Sequence, residues 1–341
     1  MCAYHAIGEA RPDDVEAPAV EGVNPFALPG EWLKCALHTH STGSDGTLSP
    51  GHLVQAYEEA GFDVVAITDH WRLTEVPSTE RVLTIPSAEL GWDVAHPRYP
   101  RQSAEFLVYG IDHLPEDPGG NRDNWYTNAD ENYEVRTFAD LTAGSAWAAT
   151  MDAVVYVAHP YWTQLSVDDL AAQEGFVGLE VFNGASELEC GRGDSSVWWD
   201  ELLGRGRPTF GIATDDQHYP LYELATGWTM VRSVDRSPSA VLDALRHGHS
   251  YFSHGPTIEH VTVDDDTITV ASSPARSVVL QSEEELGIAV TAGRDGRRQG
   301  EVLDTDGSGL LTTVRFEKPP SRYRRVTVVD SEGRRAWSNP I

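Results

Sequence analysis

Residues 34–40 read Lys-Cys-Ala-Leu-His-Thr-His, and residues 62–70 read Phe-Asp-Val-Val-Ala-Ile-Thr-Asp-His. Each stretch is an apolar run that ends in histidine, as expected for a buried strand followed by a polar loop. The pattern predicts strands over Lys34–Leu37 and Phe62–Thr68, with a helix over Pro50–Ala60 between them. Strand, helix and strand within about 35 residues form a βαβ unit, which contains a parallel pair of strands.

The same alternation continues toward residue 246. Apolar runs predict further strands at Val82–Ile85, Glu105–Tyr109, Ala153–Ala158, Val177–Phe182 and Thr209–Ala213. Helices are predicted at Thr137–Met151, Asp168–Gln173, Ser195–Leu203 and Ser237–Arg246. Residues 115–135 are rich in Pro, Gly, Asn and Asp and are predicted to form a long loop of the kind that often covers an active site. Repeated alternation predicts an α/β fold whose parallel sheet is closed into a barrel or left open.

The two ends of the chain differ from this middle part. Residues 1–25 are rich in Ala, Pro, Asp and Glu without apolar periodicity, which indicates a flexible acidic tail. From residue 257 to 341, short alternating runs separated by turn residues predict a small antiparallel β domain. The expected organisation is therefore a tail at 1–25, a catalytic domain at 26–256 and a β domain at 257–341.

The composition restricts the possible partners. The 341 residues carry a formal net charge of -28, and Lys34 and Lys318 are the only lysines. Such a chain is repelled by nucleic acid backbones and by anionic membranes, so we expect no binding of duplex nucleic acid. A small phosphorylated substrate remains possible, because bound divalent ions reverse the local field. No apolar run approaches the ~20 residues of a membrane span, and we expect a soluble, cytoplasmic protein.

The three cysteines do not describe a disulfide framework or a cysteine-based zinc site, because they are few and widely spaced. Cys35 is expected to be a small buried strand residue.

Polar side chains gather where the predicted strands end. In a β/α barrel this is the end at which sites assemble. The residues in question are His38, His40, His70, Glu89, His159, Asn183, Asp216 and His218.

These residue types are suited to metal ions. Residues two apart in a strand point the same way, so His38 and His40 can hold one ion from one side. Imidazole and carboxylate together suit Zn, Mn or Fe, and Glu89 is the candidate for a bridging carboxylate. A single His-x-His pair is more often structural, whereas four such elements at strand ends favour a site for two or three divalent ions.

These motifs resemble those of the PHP family, the polymerase and histidinol phosphatase domains. The resemblance runs from about Trp32 to Pro256 and rests on five stretches: Leu-His-Thr-His-Ser at 37–41, Ser-Asp-Gly at 44–46, Ile-Thr-Asp-His at 67–70, Ala-His-Pro at 158–160 and Asp-Gln-His at 216–218. The stretches at 248–256 and 333–340 resemble a branch that includes carbaryl hydrolase-like metallohydrolases.

The resemblance implies a distorted (β/α)7 barrel that holds two or three divalent metal ions. By matching positions it implies one ion held by His38, His40, Glu89 and Asp216, another held by Asp45, His70 and His218, and an intermediate ion to which Glu89 and His159 contribute. Family members commonly have a further histidine at the strand placed here at 105–109, and this chain has none there. His96, His113 or Glu105 are the candidates to replace it.

Other residues are candidates on weaker patterns. Asp45 is also a candidate catalytic residue, and His254, in a glycine-proline turn, either faces the mouth of the site as a proton donor or is a turn residue. Asn183, a further candidate catalytic residue, either orients a ligand or the substrate, or caps the next segment. Four loop arginines could each bind a substrate phosphate or be solvated surface residues: Arg72, Arg98, Arg101 and Arg192.

The first functional hypothesis is a metal-dependent phosphoesterase that acts on a phosphomonoester or a small nucleotide. No nucleophile elbow or P-loop motif is present, so a metal-activated water is the expected nucleophile. The second is a carbamate, ester or amide hydrolase with the same metals. The third is a non-catalytic module of the PHP type, against which the retention of the ligand set argues.

Overall fold

The computed structural model describes residues 19–20, 22–94, 103–128, 133–283, 286–294 and 300–341. The tail predicted at 1–25 lies mostly outside the described residues, and its last residue, Pro25, begins a short 3-10 helix, Pro25–Ala27. The chain has a mixed α/β fold. No helix among the described residues combines the length and the apolar character that crossing a membrane requires.

The strands are numbered β1 to β21 along the chain. In order they are β1 (Glu31–Ala36), β2 (Val64–Val65), β3 (Leu83–Thr84), β4 (Ser87–Asp93), β5 (Ser103–Tyr109), β6 (Tyr126–Asn128), β7 (Tyr133–Val135), β8 (Thr137–Phe138), β9 (Val154–Val157), β10 (Gly178–Asn183), β11 (Phe210–Thr214), β12 (Trp228–Ser233), β13 (Ser250–Ser253), β14 (Ile258–Val263), β15 (Thr267–Ala275), β16 (Ser277–Gln281), β17 (Ile288–Thr291), β18 (Glu301–Thr305), β19 (Leu311–Glu317), β20 (Arg325–Val329) and β21 (Arg335–Ser338).

The α-helices are short and begin at sequence signals for helix starts. Pro50 and Pro238 occupy the first turn of their helices, and Ser237 accepts a hydrogen bond from Ala240 N as an N-cap. Ser166 and Asp169 form a capping box. The helices are α1 (Pro50–Glu59), α2 (Leu141–Ala149), α3 (Pro160–Thr163), α4 (Val167–Ala171), α5 (Gly184–Cys190), α6 (Ser196–Gly204), α7 (Pro220–Glu223) and α8 (Pro238–Arg246).

Two large sheets carry most of the strands. The first has nine strands in the order β17-β16-β20-β21-β13-β12-β1-β2-β3, and the second has six in the order β11-β10-β9-β5-β4-β8. β14, β15, β19 and β18 form a four-stranded sheet, and β6 pairs with β7 as a separate hairpin. The predicted closed barrel is therefore not confirmed, because the strands pair within separate sheets of mixed direction.

The two large sheets are joined by backbone contacts just beyond the strand ends. Asp216 N donates to His38 O at 3.1 Å, and His40 N donates to Gln217 O at 2.9 Å, which links the end of β11 to the end of β1. A β-bridge between His70 and Glu89 links the segment after β2 to β4. These contacts form the seam between the sheets, and candidate ligand residues lie on both sides of it.

The predicted helix at Thr137–Met151 begins only at Leu141, after the short strand β8, and three further differences concern the elements around the candidate site. Glu89 lies within β4, a strand that the sequence did not predict, rather than in a loop after the strand at 82–85. β5 runs antiparallel to both β4 and β9, although the alternation predicted a parallel strand. The predicted loop at 115–135 contains the hairpin of β6 and β7.

The interior between the sheets is apolar beneath the seam. Leu33, Cys35 and Leu37 project from the first strand and its end into one buried cluster with Tyr109 and Tyr156. Cys35 is fully buried, as the sequence predicted. Tyr109 and Tyr156 each donate their hydroxyl to a backbone carbonyl at 2.8 Å, so the buried phenols are satisfied.

Strands from both sides of residue 256 share the nine-stranded sheet. β13 pairs antiparallel with β21, so the last strand of the chain extends the sheet that contains β1. Just after β21, the buried side chain of Asn339 accepts from Gly211 N at 2.7 Å and donates to Ser250 Oγ at 2.9 Å. The C-terminal segment is thereby attached to β11, the strand that leads to Asp216. The domain boundary at 256–257 stays a prediction.

We expect Asn339→Ala to lower the free energy of unfolding by about 1–3 kcal/mol, because the amide of Gly211 loses its buried acceptor. Urea unfolding in the presence of a chelator measures this without a contribution from bound metal. Gln55→Ala, on the exposed face of α1, is the control and should change the free energy by less than about 0.5 kcal/mol. Equal stability of the two variants would contradict the anchoring role of Asn339.

Candidate metal centre

Five histidines and four carboxylates converge where the two large sheets meet. Their ligand atoms form four overlapping groups, and within each group these atoms lie within 4.8 Å of one another. Eight of the nine are residues that the sequence selected as ligands. The nine residues are His38, His40, Asp45, His70, Glu89, Glu105, His159, Asp216 and His218.

The first group is His38, His40 and Asp216. The Oδ1 atom of Asp216 lies 3.0 Å from Nε2 of His38 and 3.1 Å from Nε2 of His40. The same oxygen is buried and makes no hydrogen bond with any described residue, so its lone pairs are directed at a point that these contacts do not fill. A buried acceptor between two imidazole nitrogens fits a divalent ion, which would satisfy all three atoms at once.

Glu89 lies at the centre of the cluster. Its Oε2 atom is 3.1 Å from Nε2 of His38, 3.2 Å from Nε2 of His40 and 3.3 Å from Nδ1 of His70. Its Oε1 atom is 3.2 Å from Nε2 of His159. Its two oxygens therefore lie among four imidazoles, and the bridging role for which the sequence makes Glu89 a candidate stays a prediction.

Asp45 lies on the side of the cluster that opens to solvent. Its Oδ2 atom is 3.3 Å from Nε2 of His70, and its Oδ1 atom is 3.6 Å from Nε2 of His218. Together with His40, these residues form the second group, which corresponds to the second ion that the family resemblance implies. Asp45, His70 and His218 are 13–23% exposed, whereas His38 and His40 are fully buried.

Glu105 occupies the place for which the sequence has no histidine. Its Oε1 atom is 3.7 Å from Nδ1 of His70, and its Oε2 atom is 3.8 Å from Nε2 of His159. Because β5 is antiparallel, Glu105 near its start lies beside Gly91 of β4, close to Glu89. Of the other two candidates, His113 is exposed and contacts Asp112, and His96 lies outside the described residues. Glu105 is therefore the replacement that the geometry favours.

Several histidines have one ring nitrogen already engaged. His38 donates Nδ1–H to Glu180 at 2.7 Å, and His218 donates Nδ1–H to its neighbour's carbonyl, Asp216 O, at 2.8 Å. Nδ1 of His159 lies 3.1 Å from Oγ1 of Thr163. In each case Nδ1 is engaged by an atom outside the ligand groups and Nε2 is directed into the cluster, where it can bind an ion once it has lost its proton, which is the usual arrangement of a metal-binding histidine.

Glu180 is a buried carboxylate that the sequence analysis missed. Its Oε1 atom accepts from His38 and, at 2.6 Å, from Thr214 Oγ1. Its Oε2 atom accepts from His159 N at 2.8 Å and from Asn183 Nδ2 at 3.0 Å. The sequence feature that could have identified Glu180 is its position inside the apolar run at 177–182, because a charged side chain in a buried strand requires polar partners.

Asp69 is a second missed residue, and it positions the loop that carries Asp45. Its carboxylate accepts from Ser41 N at 2.7 Å, from Ser41 Oγ at 2.6 Å and from Ser44 Oγ at 3.0 Å. These contacts hold residues 41–45 against the end of β2. Asp69 belongs to the Thr-Asp-His motif, but the sequence analysis assigned a role only to its neighbour His70, as a metal ligand.

The backbone at the cluster is strained at two ligand positions. His159 has a φ of 25° and Asp216 a φ of 51°, values that non-glycine residues rarely adopt. Strain of this kind costs of order 1–3 kcal/mol for each residue and is found mainly at functional sites. Here it turns the side chains after β9 and β11 toward Glu89 and His38.

The carboxylates and the imidazoles of the cluster stabilise each other's charged forms. Burial alone would lower the pKa of His38, but the charges of Asp216 and Glu89 outweigh it and raise that pKa well above the usual value. Burial lowers the pKa of His159 in the same way, yet its hydrogen bond to Glu89 brings it to about 9. The pKa of Glu89 is held far below its usual value because neighbouring imidazoles outweigh the cost of burial.

Asn183 lies beside the cluster. Its Nδ2 donates to Asp216 Oδ2 at 3.1 Å, and its Oδ1 caps α5 by accepting from Ser186 N at 2.9 Å. Asn183 therefore contacts the candidate ligand Asp216 and also caps α5, so its contacts agree with both of these alternatives.

The other predicted catalytic and substrate residues lie elsewhere. His254 stacks on Phe182 with ring centroids 4.1 Å apart, accepts from Arg335 N at 2.8 Å and does not line the site cavity, so of its two alternatives the contacts favour the turn residue. Arg72 is exposed and Arg192 lies over Tyr161, and neither lines the cavity. Arg98 and Arg101 fall outside the described residues.

A cavity of about 430 Å³ opens above the cluster. Its floor includes Asp45, Glu89, His159 and Asp216, and none of the described lining residues is a lysine or an arginine. The walls come from the β6–β7 hairpin, from α3 and from α5. Their side chains include Tyr126, Tyr133, Trp162, Ser186 and Glu189.

Comparison with known proteins finds similar solved structures but no match by sequence. No protein-family model matches the chain, and no curated protein matches its sequence. A protein from Bacteroides vulgatus, described as "a two-domain protein containing predicted PHP-like metal-dependent phosphoesterase", is similar over 98% of this chain and 100% of its own, at 16% identity and a TM-score of 0.48.

Two further neighbours cover less of the chain. An amidohydrolase from Chromobacterium violaceum is similar over 55% of this chain and 88% of its own, at 17% identity and a TM-score of 0.36. The lesion-specific endonuclease EndoQ from Pyrococcus furiosus is similar over 63% of this chain and 56% of its own, at 14% identity and a TM-score of 0.43. Similarity at this level concerns the fold alone.

Binding of a divalent ion to the metal-free protein should release protons. Because the pKa of His159 is raised to about 9 and that of His38 lies well above its usual value, these ligands are protonated near neutral pH and must lose a proton to bind an ion. Affinity should therefore increase as pH rises toward about 9 and decrease on acidification. Titration calorimetry with Mn in two buffers of different ionisation enthalpy measures the protons released, and equal heats in both buffers would contradict this expectation.

We expect Glu180→Gln to weaken metal binding by about 10- to 100-fold, because His38 loses the charged acceptor that fixes its orientation. Competition with a fluorescent chelator measures the affinity. Glu174→Gln, an exposed glutamate away from the cluster, is the matched control and should bind as the unmodified protein does. An affinity within twofold of the control would show that Glu180 does not position His38.

Proposed function

We propose that the protein is a hydrolase that depends on two or three divalent metal ions. The observation that carries the proposal is the convergence of nine ligand side chains in four overlapping groups, with Glu89 shared by two of them and His40 by two. A non-catalytic module would have no need to keep this set beside an open cavity. We also propose that β1, β2, β4, β5, β9, β10 and β11 act together as a distorted barrel around the site.

Divalent ions bound here would polarise the substrate and lower the pKa of a water molecule to make the nucleophile. Asp216 and Glu89 would hold these ions, together with the Nε2 atoms of the buried histidines. Glu180 keeps His38 in one tautomer, and Asn183 orients Asp216. In the cavity wall, burial and the neighbouring Tyr133 raise the pKa of Tyr126, so its hydroxyl stays protonated and can donate a hydrogen bond to a substrate oxygen.

A phosphomonoester is the substrate class that we favour. The four carboxylates of the ligand set carry four negative charges, so three divalent ions would leave the site with a charge of about +2. Such a site attracts a phosphate dianion without any arginine. With Glu105 in the place of a neutral histidine, occupancy by only two ions would leave the site close to neutral.

Hydrolysis of a carbamate, ester or amide is the second candidate. One observation favours it: the described lining residues of the cavity include exposed aromatic rings and no arginine or lysine. A neutral carbonyl substrate requires no cationic side chain, and a site with two ions would suit it. The number of bound ions is therefore a second way to distinguish the two substrate classes: three ions favour a phosphomonoester, and two ions favour a carbamate, ester or amide.

The test is elemental analysis of protein purified without chelator, together with assays on a phosphomonoester and on an aryl carbamate. We expect two or three equivalents of metal and turnover of one substrate class. In the double variant Asp216→Asn, His218→Ala, both metal content and turnover should be lost, because two of the ligand groups lose a member. Glu174→Gln serves as the control with unchanged content and activity.

A single-ligand variant separates the ions. Glu105→Ala should remove one equivalent of metal from a site with three, because Glu105 contributes to one group only. Absence of metal above background, with no turnover of either substrate after loading with Mn or Zn, would contradict the proposed hydrolase.

A further inference from the structure

Three aromatic residues line the cavity above the metal centre, and two of them are partly exposed. Tyr126 is 49% exposed and Trp162 is 40% exposed, although both line the cavity. Tyr133 stacks on His70 with ring centroids 5.0 Å apart, and Trp162 makes an edge contact with His159 at 5.1 Å. The rings of Tyr133 and Trp162 are thus packed against candidate metal ligands, and both rings also line the cavity in which a substrate would bind.

The same cavity contains a carboxylate that the metal groups do not use. Glu189, near the end of α5, lines the cavity, is exposed and belongs to none of the ligand groups. No described residue forms a hydrogen bond or an ion pair with its carboxylate. None of the described lining residues is a lysine or an arginine, so none of them neutralises this charge.

We infer that the cavity recognises a cationic group on the substrate, of the alkylammonium or quaternary ammonium class. The faces of Tyr126 and Trp162 would receive the cation, and Glu189 would supply the opposite charge. The inference rests on the proposed hydrolase function and specifies its substrate: the reacting group lies over the metal ligands and the cation lies at the aromatic wall.

The three possible occupants of the wall differ in what they gain. An anionic group is repelled by Glu189 and by a chain whose net charge is -28. A neutral aryl group gains ring contacts, but it gains nothing from the carboxylate. A cation gains from both, because the negative face of an aromatic ring attracts it and a carboxylate at the rim of the cavity adds a charge interaction.

Binding is tested with a matched pair of probes, choline and its uncharged carbon isostere tert-butylethanol. On the metal-loaded protein, we expect choline to bind about 3- to 30-fold more tightly, the range that cation–π contacts produce. Titration calorimetry or ligand-observed NMR measures both affinities. The preference should decrease in Glu189→Gln, which loses the carboxylate, and in Trp162→Leu, which loses a ring, and it should remain in the control Glu174→Gln.

Turnover gives an independent readout with phosphocholine and tert-butylethyl phosphate. Glu189→Gln should raise the KM for phosphocholine by about 3- to 30-fold, with kcat and metal content unchanged and the uncharged ester unaffected. Equal binding of the two probes to the unmodified protein would overturn the inference, as would a preference that is undiminished in Glu189→Gln. The binding experiment does not depend on catalysis, so failure to hydrolyse any ester would count against the proposed function alone.

Discussion

The contact of Glu89 with four imidazoles is the interaction on which the rest of the structure depends. The carboxylate is 1% exposed, and a buried charge of this kind is stable only when opposite charges or metal ions surround it. His38, His40, His70 and His159 arrive from three different chain segments to do so. The positions of the strand ends, the strained backbone at His159 and the hydrogen bonds of Glu180 all follow from the need to bring these groups together.

Most of the candidate site could be predicted from the sequence because it follows a positional rule. Histidines and acids at the ends of apolar runs were selected without knowledge of the fold, and seven of them converge in the structure, whereas Asp45 was selected only through the family resemblance. The rule works because parallel strands bring their carboxyl ends to the same edge. The strands β9, β10 and β11 were predicted well because their sequences are mainly apolar and their side chains are almost all buried on both faces.

The rest could not be predicted, for reasons that differ by residue. β4 was missed because Glu89 and Gly91 interrupt its apolar pattern, although every residue from 87 to 92 is buried. The direction of β5 leaves no trace in residue type, since side chains alternate in the same way in parallel and antiparallel strands. Thus Glu105 was only one of three candidates. The two alternatives for His254 could not be separated, because a glycine-proline turn does not indicate which side of the protein the following chain covers.

The seam between the two large sheets has a consequence for how the protein holds together. The backbone contacts that cross it join His38 to Asp216 and His70 to Glu89, so ligand residues themselves close the junction. An ion bound to these residues would act as a clip across the junction, and its binding free energy would add to the cohesion of the sheets. After loss of the ion, this junction would open first. Proteases would then cleave the chain near the junction before the strands themselves separate.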